Sequence, residues 1–310
     1  MASRVKDIKF GSVDITDFAY WINERHRIYL KKEAGEPKPW TDDKILQRYK
    51  FTNTFRQLDR GTVALRDMIS DHDHVENEDW HPELLFFNIV WYRFFNWHVH
   101  AHTCLSIGGI GFVTKFTDLE TYIRKCKRTH KKIFTGAHMT TGVAFEEKHE
   151  SYLRACAEAW NRRFEFTQGM MELATMQEVY EKLLSLYMVG KFIAYELVCD
   201  FRFTTLLCNA TDKLTWANMG PGAQRGLKRL GYPHKNQEEG CESMVKIYGE
   251  LIGEELIDHR VAEHLPFNEY HPNSPFEMRE VEHSLCEFDK YCRVRFGEGR
   301  PRGRYPGEKE

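Results

Sequence analysis

Residues 218–230 read NMGPGAQRGLKRL, and this stretch decides how the rest of the chain is read. Gly220-Pro221-Gly222 forms a tight turn. Pro221 suits the first position of a helix, where its missing N–H would have had no partner and its ring already holds φ near the helical value. Gly222 has no Cβ to block an approaching group. The helix that follows contributes free N–H groups and the positive end of its dipole. Gly220, Gly222 and Ala223 are therefore candidate phosphate-binding positions, with Arg225, Lys228 and Arg229 supplying charge beside them. A plain interhelical turn with a basic outer face fits the same residues, and the stretch alone leaves both readings open.

The flanking sequence is helical in its spacing. Residues 14–32 carry Phe18, Trp21, Ile22, Ile28 and Tyr29 on one face, with Asp14 or Thr16 as a cap. Thr41-Asp42-Asp43 opens a second helix that is expected to run into FRQLDRGT. The aromatic run of residues 84–104 is long enough for a buried helix. Further helices are expected at 118–130, 146–163, 168–178, 181–209 and 237–257, with Gly190 marking close packing or a break. Ser274-Pro275-Phe276-Glu277 reads as a capping box that starts a last helix ending near Arg295 and burying Val281, Leu285, Phe288 and Cys292. No strand pairs or repeats emerge. The expected fold is all-α over residues 1–310, a single helical domain with room for two lobes, and 296–310 reads as a flexible basic tail.

The totals narrow the function classes. With a net charge of −2 over 310 residues, a polyanionic partner must meet a local basic patch. Arg124 to Lys132, Arg225 to Arg229 and Arg293 to Arg304 are such patches. Eight cysteines without any Cys-x-x-Cys pairing suggest reduced thiols, and no signal-like or membrane-length apolar stretch occurs, so a cytoplasmic setting without a membrane partner is expected. The chain contains no Walker loop and no Gly-x-Gly-x-x-Gly, so nothing points to nucleotide hydrolysis. His98, His100 and His102 would share a face only on a strand, and no acidic ligand follows closely. No metal and no cofactor are expected.

Three other groups can carry chemistry. Arg56 and Arg60 in FRQLDRGT would share a helical face and clamp a phosphate or pyrophosphate, with Asp59 bracing them. Glu196 and Asp200 lie one turn apart in an otherwise apolar helix, with Arg202 as a ready partner; carboxylates in such surroundings are paired or have raised pKa values. Residues 279–293, REVEHSLCEFDKYCR, place Glu280, His283 and Glu287 on one face and Glu282, Cys286, Asp289 and Arg293 on the next. Each group also fits an ordinary salt-bridged surface.

Taken together, WINERHRIYLKK, PWTDDKILQRYKFTNTFRQLDRGT, FTGAHMTTG, GKFIAYELVCDF, NMGPGAQRGLKRL and EHSLCEFDKYCR resemble the α-glutamyl/putrescinyl thymine pyrophosphorylases. Related members are amino acid:DNA transferases, or the helical domain beside a hydroxymethyluracil DNA kinase. The resemblance runs from about Asp17 to Arg293. It implies a fold like that of helix-hairpin-helix DNA glycosylases, two helical lobes with a DNA-binding cleft. It implies action on double-stranded phage DNA in which a kinase has phosphorylated or pyrophosphorylated 5-hydroxymethyluracil. A free amino acid or polyamine then displaces that group from an extruded base. In these terms Arg56 and Arg60 would stabilise the leaving pyrophosphate, and Asp200, Glu282 or Asp289 would take the proton of the amine. The alternatives are a glycosylase acting on a modified base and a non-catalytic DNA-binding partner of the kinase. Glycosylases of that superfamily carry an aspartate after the hairpin. Here the matching stretch offers Glu238 and Glu239 and no aspartate before Asp258, which disfavours base excision.

Overall fold

Amphipathic spacing and buried side chains shape most of the helices among the described residues. The computed structural model describes residues 13–74, 80–102, 109–135, 142–258, 276–299, 301, 303 and 304. Among them the secondary structure is helical, with one isolated antiparallel bridge between Tyr49 and Arg304. The all-α expectation holds for these residues. None of their helices is long and apolar enough to cross a membrane.

The chain folds as two units, residues 1–56 with 213–310 and residues 57–212. In the first, α1 (Ile15–Glu33) starts at Asp14, whose side chain accepts from the amides of Thr16 and Asp17 and completes a capping box with Asp17. Phe18, Trp21, Ile22 and Ile28 are buried on it. Next comes α2 (Lys44–Arg48), capped by Asp43. It ends at Tyr49, which adopts extended geometry, so this helix does not run into the Arg56 segment as the sequence suggested. The unit continues with α10 (Pro221–Leu230), α11 (Gln237–Gly253) and α12 (Met278–Arg295). The expected stripe of α12, Val281, Leu285, Phe288 and Cys292, is wholly buried. Its start lies later than expected: Glu277 is the N-cap and makes the capping box with Glu280. Ser274 and Pro275 lie outside the described residues. Within the 296–304 segment, Gly303 accepts from the amide of Lys50 and Glu298 accepts from Arg229.

The second unit holds α3 (Arg60–Ile69), α4 (Pro82–Phe95), α5 (Phe116–Arg128), α6 (Lys148–Asn161), α7 (Arg163–Met171), α8 (Met176–Leu183) and α9 (Lys191–Phe201). α4 is buried on every side from Leu85 to Phe95 and packs on α6, α7 and α9. An all-round apolar helix is the expected centre of such a bundle. Asn96 in the left-handed conformation (φ 46°) ends it. The single helix expected over 181–209 is broken between Leu183 and Lys191, with Gly190 as the N-cap of α9. Most of the FTGAHMTTG stretch lies outside the described residues.

Candidate functional site

In the first unit the Gly-Pro-Gly turn leads directly into α10, as its sequence dictates. Gly220 is the N-cap and Pro221 opens the helix. The first amide to bond back is that of Gln224, to the Gly220 carbonyl, so the N–H groups of Gly222 and Ala223 precede the helical ladder. α10 lies close against α12. A Cβ on Gly226 would fall 2.5 Å from the Leu285 carbonyl oxygen, and one on Gly222 would run into the Cys286 side chain. These glycines therefore allow the two helices to approach, a role the sequence reading did not give Gly222. Ala223 is buried in the same contact, whereas Arg225 and Lys228 are exposed.

Two of the expected carboxylates meet this turn from α12. Glu282, buried on α12, accepts the Gly220 N–H through Oε1 at 3.1 Å. Its other oxygen lies 3.6 Å from His283 Nε2. A carboxylate drawn to these amides is what an anion-seeking turn should attract. Asp289 is completely buried and is gripped by Arg225 Nε at 2.8 Å, Arg229 Nε at 2.7 Å and Arg293 Nε at 3.3 Å. Arg229, expected on a basic outer face, is instead buried and also bonds Glu298 at 2.5 Å. With both oxygens of Asp289 occupied, this cluster is built as a strut between α10 and α12.

The head of α12 carries the densest buried charge of the unit. Glu277, Arg279, Glu280, Glu282 and His283 are all buried within seven successive residues. Arg279 pairs with Glu280, its Nε donating at 2.9 Å, and Glu280 Oε2 accepts the Glu277 amide at 3.1 Å. Burial raises the Glu280 pKa above the ordinary carboxylate value; Arg279 opposes this and the Glu277 charge adds to it. Tyr248 is likewise raised, by burial first and then by Glu277 and Glu280. Its ring stacks on Phe276 at 6.5 Å, and Phe276 meets Phe55, which meets His26. Burying so many ionisable groups together is costly unless they are paired or used, which makes this segment the prime chemical candidate. The sequence showed the acid/base density of 279–293 but not that charged residues on all faces of the first turns are buried.

Of the remaining candidates, Asp200 and Arg60 belong to the second unit and Arg56 to the first. Asp200 on α9 receives a fork from Arg93 of α4, Nε at 2.7 Å and Nη2 at 2.5 Å, while Arg93 Nη1 reaches Glu196 at 3.0 Å. The sequence reading offered Arg202 as partner; Arg93 comes from a distant helix that no local pattern reveals. Arg56 and Arg60 do not share one helical face. Arg56 sits in a 3-10 turn (Arg56–Leu58), Asp59 is extended, and Arg60 opens α3. Asp59 caps without a side-chain bond, and the division between the two units falls after Arg56. Exposed Arg60 lies in a positive patch: with burial as the leading cause, Arg60, His102 and Lys132 hold the pKa of His98 down. Lys132 Nζ stands 3.7 Å from the Trp97 ring centre. His100 is a core histidine, bonded to Tyr122 Oη and the Ile133 carbonyl at 2.8 Å each. Among the described residues no group of three or more metal-ligating side chains converges.

Comparison with known proteins follows the same outline as the helices. Residues 13–300 match the family model of the 5-hmdU DNA kinase helical domain. The 5-hmdU DNA kinase of Bacillus phage SP10 is 28% identical over 229 residues, which cover 67% of this chain and 35% of that kinase. The chain thus spans about a third of the length of this curated relative. No solved structure matches. With nearly its whole length matched by the one model, the chain belongs to the family of 5-hmdU DNA kinase helical domains.

Proposed function

We propose that this chain works in phage thymine hypermodification, as a DNA-modifying transferase on phosphorylated or pyrophosphorylated 5-hydroxymethyluracil. The amine nitrogen of an amino acid or polyamine attacks the methylene carbon on the base. The carbon–oxygen bond breaks and phosphate or pyrophosphate leaves with the bonding pair. The amine proton passes to a protein base. The observation that carries this reading is the buried charge at the head of α12, with Glu282 reaching the Gly220 amide of the turn. Of the three carboxylates suggested by sequence, Glu282 is the one that meets the turn itself, accepting the Gly220 N–H, which favours it as base over Asp200 and Asp289. In this account Arg225 and Lys228, exposed on α10, and the amides of Gly222 and Ala223 hold the DNA backbone, Gly220 positions Glu282, and Arg56 acts on the leaving group. Host cytoplasm is the fitting location, and a 5-hmdU DNA kinase the fitting partner.

The test is incubation of the protein with kinase-treated hydroxymethyluracil DNA and a panel of amines, followed by nucleoside mass spectrometry. A new amine-bearing nucleoside is expected, and its absence with every amine counts against the transfer. A second reading, a DNA-binding helical partner of the kinase without turnover, is favoured by the ion-paired state of Asp200 and Asp289. It predicts salt-dependent DNA binding and no new nucleoside. Release of free base would instead support the glycosylase alternative.

A further inference from the structure

In the second unit the loop before α6 carries an apolar tip, Val143-Ala144-Phe145, whose three residues are all exposed. Phe145 is the extreme case. It is 110% exposed, so its ring is bare on both faces, and its backbone is left-handed at φ 64°. A bulky residue avoids that conformation unless its surroundings impose it. Here they do. The Val143 N–H donates to Ser151 Oγ at 3.1 Å, and Ser151 Oγ donates to Glu146 Oε2 at 2.7 Å. The Glu146 N–H returns to the Val143 carbonyl at 3.2 Å, and Arg154 pairs with Glu146. Both flanks of Phe145 are thus tied to Ser151, a fully buried residue of α6, and the ring is held out in solvent.

The surface beside this tip is cationic. Glu147, two residues on, accepts from Lys127 of α5 at 2.5 Å. With Arg124, Arg128 and His149, Lys127 lines a shallow cavity of about 450 Å³ between α5 and the head of α6. Residues 124–132, RKCKRTHKK, hold Arg124, Lys125, Lys127, Arg128, Lys131 and Lys132 and no carboxylate. Glu150 and Glu147 engage Arg124 and Lys127. Exposed Lys125, Arg128 and Lys131 are paired with no carboxylate among the described residues. A polyanion with flat apolar groups along its length matches both features: its phosphates meet the cations, and the face of a base meets the bare ring.

We propose that Phe145 inserts against a base of duplex DNA while Arg128 and the neighbouring cations of α5 hold the phosphates. The inference rests on the reading that the chain works on DNA, and it needs no transfer chemistry. The experiment compares the full parent chain with Phe145→Ala, Phe145→Trp and Arg128→Ala. Fluorescence anisotropy with a short duplex is measured across salt concentrations, beside the emission of 2-aminopurine placed at successive positions of that duplex. The parent should raise the emission at the few positions that Phe145 unstacks. Phe145→Ala should weaken binding about tenfold and abolish the rise, and Phe145→Trp should keep both. Arg128→Ala should weaken binding about threefold and reduce the salt slope by about one unit. Both exchanged side chains are exposed, so the thermal melts should match that of the parent. Duplex binding by the parent, with affinity and emission unchanged in Phe145→Ala, would overturn this inference and leave the DNA reading standing. Failure of the parent to bind duplex at all would overturn both.

Discussion

Glu282 on α12 accepts the backbone N–H of Gly220 at 3.1 Å, tying the head of the last helix to the turn that begins α10. Replacing Glu282 by Ala removes the acceptor and leaves a part-buried amide unsatisfied, at a cost of about 1–3 kcal/mol. Glu282→Gln keeps a carbonyl at the same reach and should cost less. Urea unfolding of the two variants checks the order; equal losses would show that the bond does not hold the turn.

Asp289 anchors α10 to α12 through Arg225 and Arg229. Asp289→Ala strands a buried guanidinium and should destabilise by about 3–5 kcal/mol. Arg225 is half exposed, so Arg225→Ala should cost under about 1 kcal/mol while weakening DNA binding. A thermal melt of Asp289→Ala close to that of the parent would contradict the strut.

The Arg93 fork on Asp200 predicts the same for the second unit. Asp200→Asn should lower thermal stability, and any loss of product should follow the fraction unfolded. Full stability with turnover abolished would restore Asp200 as a reacting group.

The folded state keeps His100 neutral, its pKa lowered to about 4, mainly by burial. With the Ile133 carbonyl accepting from Nε2, Nδ1 accepts from Tyr122. Between the ordinary value of 6.5 and about 4 the unfolded chain binds the extra proton, so stability falls as pH drops through this window. The contribution is roughly 3 kcal/mol. His100→Gln should flatten that part of the stability–pH curve, and an unchanged slope would show that other groups carry it.

The helices were legible because their apolar residues recur with the helical period: Phe18, Trp21 and Ile22 on α1, Val281, Leu285 and Phe288 on α12. Breaks were harder to see. The gap between Leu183 and Lys191 has only Gly190 as a marker, and Tyr49 leaves the helix in a stretch with no glycine or proline. Local spacing put Arg56 and Arg60 on one face because it cannot register an extended Asp59 between them. Partners distant in sequence, such as Arg93 with Asp200 or Arg229 with Asp289, are fixed by packing alone. The turn at Gly220 was visible in sequence, but not that α12 supplies its anion.

In the proposed transfer Glu282 takes the amine proton beside the turn, and Glu282→Gln probes that step. Single-turnover product formation on kinase-treated hydroxymethyluracil DNA should fall by about 100-fold or more, as loss of a general base requires, while DNA affinity stays within about threefold. Turnover at the parent rate, with a fully folded variant, would contradict the account.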